Sequence, residues 1–171
     1  ALSPDGLSVD LSGPIGTGSA ERLRQVLDHA PQATTLRLDS PGGRLFEGEA
    51  IAREVRRRGL DTYAAGECSS ACTLVLLAGH ERLTTRWPHV GFHRASHPGP
   101  NGTEVAASRG LMQSYRAAGL SESFIARVRT VPSSAIWYPT LDELMANAIV
   151  TGLAPEAPPP VTAGSNAMHR R

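Results

Sequence analysis

Ser70 and His93 are the residues best able to do chemistry in this chain. Ser70 lies in Gly66-Glu67-Cys68-Ser69-Ser70-Ala71-Cys72, which leads into an apolar run, and His93 closes Val90-Gly91-Phe92-His93. A serine hydroxyl attacks carbonyls only when a base takes its proton, and imidazole suits that task near neutral pH. The chain holds no lysine. Arginine stays protonated, so a Ser-Lys mechanism is excluded and the base must be a histidine or a carboxylate. Acyl transfer also needs donors for the oxyanion. Asp39-Ser40-Pro41-Gly42-Gly43 offers paired glycines whose amides can face outward with no Cβ in the way. The amide of Ala71, just after the serine, is a second candidate donor, as in other nucleophile elbows. Each feature has a plainer reading: Pro-Gly-Gly as a turn, Ser70 as a helix N-cap, His93 as a structural histidine.

The elements that must position these residues can be read from periodicity. Leu7 to Leu11 alternates as a strand, and Ser19 can cap a helix through His29 with Leu23, Val26 and Leu27 at helical spacing. Thr34 to Leu38 is β-branched and alternating, and it enters the Pro-Gly-Gly turn. A helix follows from Leu45 to Arg58, stopped by Gly59, and then a strand from Leu60 to Ala65, with Gly66 opening a short loop. The apolar run over 70–79 predicts a buried helix, and Val90 to Arg94 a strand. Helical patterns cover Glu104 to Ala118, Ser121 to Val131 and Leu141 to Ala148, and His97 to Gly102 is turn-rich. Strand and helix alternate through the first half, which predicts an α/β fold with a mostly parallel sheet covered by helices on both faces. Ligands of such sheets bind at the C-terminal ends of strands, where both candidate loops fall.

The chain has 171 residues, enough for one domain over 1–153, followed by a Pro/Ala/Gly-rich tail over 154–171 expected to be extended or disordered. A net charge of +1 gives no electrostatic argument for nucleic acid or a membrane surface. Arg56-Arg57-Arg58 reads as the solvated C-terminus of a helix. No stretch reaches 18 apolar residues, so direct membrane insertion is not expected. A leader is not expected within the chain as it stands from Ala1, and a mature chain would have lost one.

Taken together, these motifs resemble the Clp peptidase family and its relatives in the Clp/crotonase fold. The motifs are Gly13-Pro14-Ile15 after the first strand, Ser40-Pro41-Gly42-Gly43, Gly66-x-x-x-Ser70-Ala71 and Val90-Gly91-Phe92-His93. The match runs from about Val9 to Arg94 and resumes over Trp137 to Gly152. The resemblance implies stacked ββα units, Ser70 as nucleophile, His93 as base, and Gly43 and Ala71 as oxyanion donors. It implies no cofactor, peptides or unfolded protein as substrate, and self-association into rings or stacks. Cys68-x-Ser70-Ala71-Cys72-Thr73 followed by Leu77-Ala78-Gly79 looks like a branch of predicted periplasmic Clp-like proteins.

The chain departs from that family at the third triad member. The family's Asp position, counted back from Trp137, falls on Ala135, and no carboxylate lies between Glu122 and Asp142. Ser134, a backbone carbonyl or water would then orient the histidine, and a mis-set tautomer can cost ~10,000-fold in rate. Cys68 and Cys72 are four apart. Were both helical, their Cα atoms would lie within disulfide range, with Ser70 on the opposite side. The other reading is two buried thiols, whereas a metal site would need more ligands than these. A disulfide would fit an extracytoplasmic compartment. Two further functions stay open: a non-catalytic Clp-like module that binds a peptide or partner, and a crotonase-type site gripping an acyl-CoA thioester.

Overall fold

A computed structural model describes residues 1–98, 104–106 and 108–155, with the backbone alone for residues 97, 98, 104–106 and 108. The tail from residue 156 onward and most of the turn-rich stretch at 97–102 lie outside the described residues. In chain order the elements are β1 (Ser8–Ser12), α1 (Ser19–Asp28), β2 (Thr35–Ser40), α2 (Leu45–Arg58), β3 (Asp61–Ser69), α3 (Ala71–Leu76) and β4 (Arg82–Thr84). Then come β5 (His89–Gly91), β6 (Ser96–Pro98), β7 (Glu104–Ala106), α4 (Ser108–Ala117), α5 (Glu122–Thr130), α6 (Leu141–Ala146) and β8 (Gly152–Leu153).

The main sheet has the order β1-β2-β3-β4-β8, with β5 also paired to β3, and every pairing in it is parallel. Strand β3 serves two neighbours in succession. Thr62–Ala64 pairs with β4, while Glu67–Ser69 pairs with β5. The sheet therefore splits along β3, and its last residues are aligned with the strand that leads to His93.

Alternation explains how this sheet is buried. Val9, Leu36, Leu38, Thr62 and Ala64 point into the core, where Ile51, Ala52 and Val55 of α2 and Leu23 and Leu27 of α1 meet them. Each large aliphatic side chain so buried stabilises the fold by roughly 1.5–3 kcal/mol. The opposite face of β1 to β3 carries Asp10, Arg37, Asp39, Tyr63 and Glu67, all half-buried or exposed. There Arg37 approaches Asp10 at 3.6 Å and lies over the Tyr63 ring. The expectation of helices on both faces is corrected at these strands, where a polar surface stands in place of a second helical layer.

Four other expectations are revised. The strand read as ending at Ala65 runs on to Ser69, because the register with β2 shifts between Leu38 and Ser40 and pairing resumes at Ser40 and Cys68. Gly66 is therefore a strand residue, and the Asp39 carboxylate fills the space a side chain there would need. Glu104–Ala106 is the second strand of an antiparallel hairpin with β6, and the helix expected from Glu104 begins at Ser108. Strand β5 stops at Gly91, so His93 lies just beyond it. Ser19 does not cap α1: Gly18 holds that position, and the Glu47 carboxylate accepts from the amides of Gly18 (2.7 Å) and Ala20 (2.9 Å).

The second half of the chain closes over the end of β5 through aromatic packing. Phe92 meets Phe124 edge-on at 5.0 Å and Tyr115 at 5.7 Å, and Trp137 stacks against Phe124 under the Arg127 guanidinium. Helix α6 is fixed by a capping box between Thr140 and Glu143. The three arginines ending α2 include two tied down locally, Arg57 and Arg58 to Glu54 and Arg58 also to Asp28.

Candidate active site

Ser70 occupies the joint between β3 and α3, with φ 56° and ψ −122°. A non-glycine residue at positive φ is strained, and such strain costs of order 1–3 kcal/mol unless neighbours enforce it. Ser70 holds the N-cap position of α3, but its hydroxyl makes no capping bond to the helix, so capping does not account for the side chain. The Ser70 amide donates to the Gly91 carbonyl at 3.0 Å, extending the β3–β5 ladder by one residue into the joint. The side chain is thus presented at the C-terminal end of the sheet with its hydroxyl uncommitted to α3.

The Pro-Gly-Gly loop is pressed against this joint. Gly42 has φ 88°, and a Cβ on it would overlap the Ser69 carbonyl oxygen, come within 2.8 Å of the Ala71 nitrogen and within 2.9 Å of the Ser70 Cβ. No residue other than glycine fits there without displacing backbone. Gly43, at φ 147°, is held from the other side: Ile15 N–H donates to the Gly42 carbonyl, and Arg44 N–H donates to the Ile15 carbonyl, both at 2.8 Å. In a trans peptide the carbonyl and the next N–H point in opposite directions. Because the Gly42 carbonyl faces Ile15, the Gly43 N–H of the same peptide faces away from Ile15. The structure packs Gly42 against Ser70 and Ala71, with Gly43 next in the chain, although they come from two separate loops.

His93 reaches the same end of the sheet by way of β5. The parallel register sets Ser69 opposite Gly91, so Ser70 and His93 lie just past the ends of adjacent strands. His93 is half-buried, with its Nδ1 out of contact with solvent. Its flanking residues are clamped to the segment before α6. Phe92 and Trp137 exchange backbone hydrogen bonds at 2.8 and 2.9 Å, and Arg94 donates to the Val131 carbonyl at 3.0 Å. Residues 132–136 consequently arch past His93, and Ser134 lies in that arch with its side chain exposed.

Cys68 and Cys72 form a disulfide, with Cα atoms 5.2 Å apart and both residues fully buried. The all-helical geometry considered above is corrected: Cys68 belongs to β3 and Cys72 to the first turn of α3. The bridge thus spans the joint itself, with Ser70 midway between its anchors. Sequence reasoning missed two further hydroxyls here. Thr73 Oγ1 donates to the Ser70 carbonyl at 2.6 Å and also lies 2.7 Å from the Tyr115 hydroxyl. The available signal was a polar residue inside the otherwise apolar run after Ser70.

Among the described residues no cluster of three or more His, Cys, Asp or Glu side chains could hold a metal, and no helix is long and apolar enough to cross a membrane.

No family model and no curated protein sequence matches the chain. Solved structures do. A point mutant of ClpP1 from Listeria monocytogenes superposes with a TM-score of 0.67 at 17% identity, covering 88% of this chain and 92% of that one. A point mutant of the 1510-N membrane-bound stomatin-specific protease gives a TM-score of 0.62 at 16% identity over 86% of this chain and 78% of that one. Another point mutant of that protease, in complex with a substrate peptide, gives 0.61 at 16% identity over 86% and 74%. The chain has a Clp-like fold.

Proposed function

We propose that this chain is a serine hydrolase, a peptidase acting on flexible peptides, with Ser70 as nucleophile and His93 as general base. The observation that carries the reading is the strained Ser70 joint with Gly42 packed against it. Strain of this kind persists when the surroundings enforce it, and presenting a hydroxyl beside backbone donors is a reason to enforce it. In the reaction, imidazole takes the Ser70 proton as Oγ attacks the scissile carbonyl. The oxyanion is received by the N–H groups of Gly43 and Ala71. The imidazolium then protonates the leaving amine, and water repeats the sequence on the acyl-enzyme. With Nδ1 turned inward, Nε2 is the nitrogen assigned to serve Ser70. The backbone bonds of Phe92 to Trp137 and of Arg94 to Val131 support giving the segment 132–136, with Ser134, the task of holding the ring.

Three elements of the reading rest on resemblance and fold. Residues 1–153 would act as one peptidase unit, self-associate as Clp-type relatives do, and work outside the cytoplasm. The buried disulfide supports the last of these, since such bridges persist in oxidising compartments. A second reading, a Clp-like module that binds peptides without cleaving them, is favoured by the lack of any carboxylate between Glu122 and Asp142.

Fluorophosphonate labelling separates the two. The hydrolase reading expects labelling of the parent, none of Ser70→Ala, and a fall of at least ~100-fold in His93→Ala, on the scale of a lost general base. A folded parent that takes no label would overturn the hydrolase reading and favour the binding module.

A further inference from the structure

We propose that Thr73 and Tyr115 are positioning residues that aim the Ala71 N–H into the oxyanion site, through a directed hydrogen-bond relay ending on the Ser70 carbonyl. The inference rests on the hydrolase reading for its catalytic consequence, but its geometry stands independently.

The direction of the relay follows from counting protons. The Ser70 carbonyl can only accept, and it receives the Thr73 N–H at 3.0 Å and the Thr73 hydroxyl at 2.6 Å. Thr73 has a single hydroxyl proton, so toward Tyr115 its Oγ1 acts as acceptor. The phenol of Tyr115 is therefore the donor across the 2.7 Å contact. Both side chains are fully buried. Burial also raises the Tyr115 pKa above its ordinary value, which favours the protonated, donating phenol. The chain Tyr115 to Thr73 to Ser70 thus has one polarity.

Its target matters because of peptide geometry. The Ser70 carbonyl and the Ala71 N–H belong to the same planar, trans unit and point in opposite directions. Pinning the carbonyl from the α3 side therefore turns the N–H to the other side, where Gly42 packs within a Cβ's reach of the Ala71 nitrogen. Two donors on one carbonyl oxygen also draw electron density toward it, which makes the attached N–H a better donor. At a helix start such a peptide would otherwise be free to tilt, since the first amides of a helix lack intrahelical partners. Tyr115 belongs to α4, so the relay makes the second half of the chain responsible for the shape of a loop built by the first half.

The experiment uses two readouts on the intact protein. The first is fluorophosphonate inactivation resolved into a reversible constant KI and a first-order rate. The second is the amide resonance of Ala71 in the 15N-labelled protein. In Thr73→Val the inactivation rate is expected to fall about 10- to 100-fold with KI unchanged, a part of the ~100- to 1,000-fold cost of losing a donor. Tyr115→Phe, which removes only the distal hydroxyl, is expected to lose less, about 3- to 10-fold on the same scale. Thr73→Ser restores the hydroxyl and is expected to restore the rate. The Ala71 amide resonance should move in Thr73→Val and Tyr115→Phe and return in Thr73→Ser. Folded variants with parental rates and an unmoved Ala71 amide would overturn the relay. If Thr73→Val does not fold, Tyr115→Phe and Thr73→Ser decide. A parent that never reacts would defeat the hydrolase reading, and the Ala71 resonance would still decide whether these two hydroxyls set that peptide.

Discussion

The serine side and the histidine side of the candidate site are built in different ways. Around Ser70 the backbone is constrained from every direction. It has a disulfide across the joint, a ladder bond to Gly91, two donors from Thr73 on its carbonyl, and Gly42 packed against its Cβ. Around His93 the constraint comes from backbone bonds of its neighbours to Val131 and Trp137, some forty residues away in sequence, and from the aromatic packing behind Phe92. The first side is braced at once by a covalent bridge, a ladder bond and close backbone packing, so its shape does not hang on any one of them. The second depends on two distant segments docking correctly. Catalysis needs both, and the histidine side is where a defect would be felt first.

The sharpest way to break the serine side is Gly42→Ala. The new methyl would overlap backbone of Ser69 and Ala71 and occupy a positive φ, which by itself costs roughly 1–2 kcal/mol. We expect labelling to fall by more than ~100-fold, the cost of a lost oxyanion donor, and the urea midpoint to fall as well. Next comes the covalent constraint. Reducing the Cys68–Cys72 bridge should lower unfolding free energy by about 2 kcal/mol, as the chain-entropy estimate gives for so short a loop, checked by urea denaturation of the oxidised and reduced protein. The comparison is sharpened from the other side by Ala135→Asp. It adds a carboxylate to the exposed arch beside His93 and is expected to raise the labelling rate by about 10-fold, a fraction of what a properly set tautomer is worth. No gain would mean that the histidine is not the limiting half.

The smallest effect concerns the start of α1. Glu47 holds the start of α1, and the amides of Ala20 and Gly18 keep its carboxyl below the ordinary carboxylate range. A depressed folded-state pKa means the stabilisation is complete above the unfolded value near 4.5 and is lost as pH falls through the lowered one. Glu47→Gln should therefore lower the melting temperature modestly at pH 7 and flatten its decline on acidification, as thermal scans between pH 7 and 3 would reveal.

Much of this architecture was legible because local signals agreed with it. The alternation of Thr34 to Leu38, the helical spacing of Leu23 and Leu27, and the glycine stop at Gly59 each had one consistent reading. The same alternation signalled a strand with one polar face, and the general habit of parallel sheets overrode it. What escaped was set by long-range pairing. Strands β4 and β8 are three and two residues long and exist because β3 and β4 offer them edges. Glu104–Ala106 carries helix-compatible residues and becomes a strand only against β6. At the site, the residue types and order pointed to Ser70, Ala71, Gly43 and His93. Thr73 was hidden because a hydroxyl inside an apolar run reads as tolerated rather than employed, and Tyr115 because its partner lies in a distant element.

The buried disulfide also gives the joint a clock. Both sulfurs lie inside the core, so a small thiol can reach them only when the structure around the joint opens. In native buffer, the rate at which a reductant opens the bridge, once it no longer rises with reductant concentration, equals the frequency of that opening. The protein thus carries an internal reporter of how often its most constrained loop lets go, readable without any substrate.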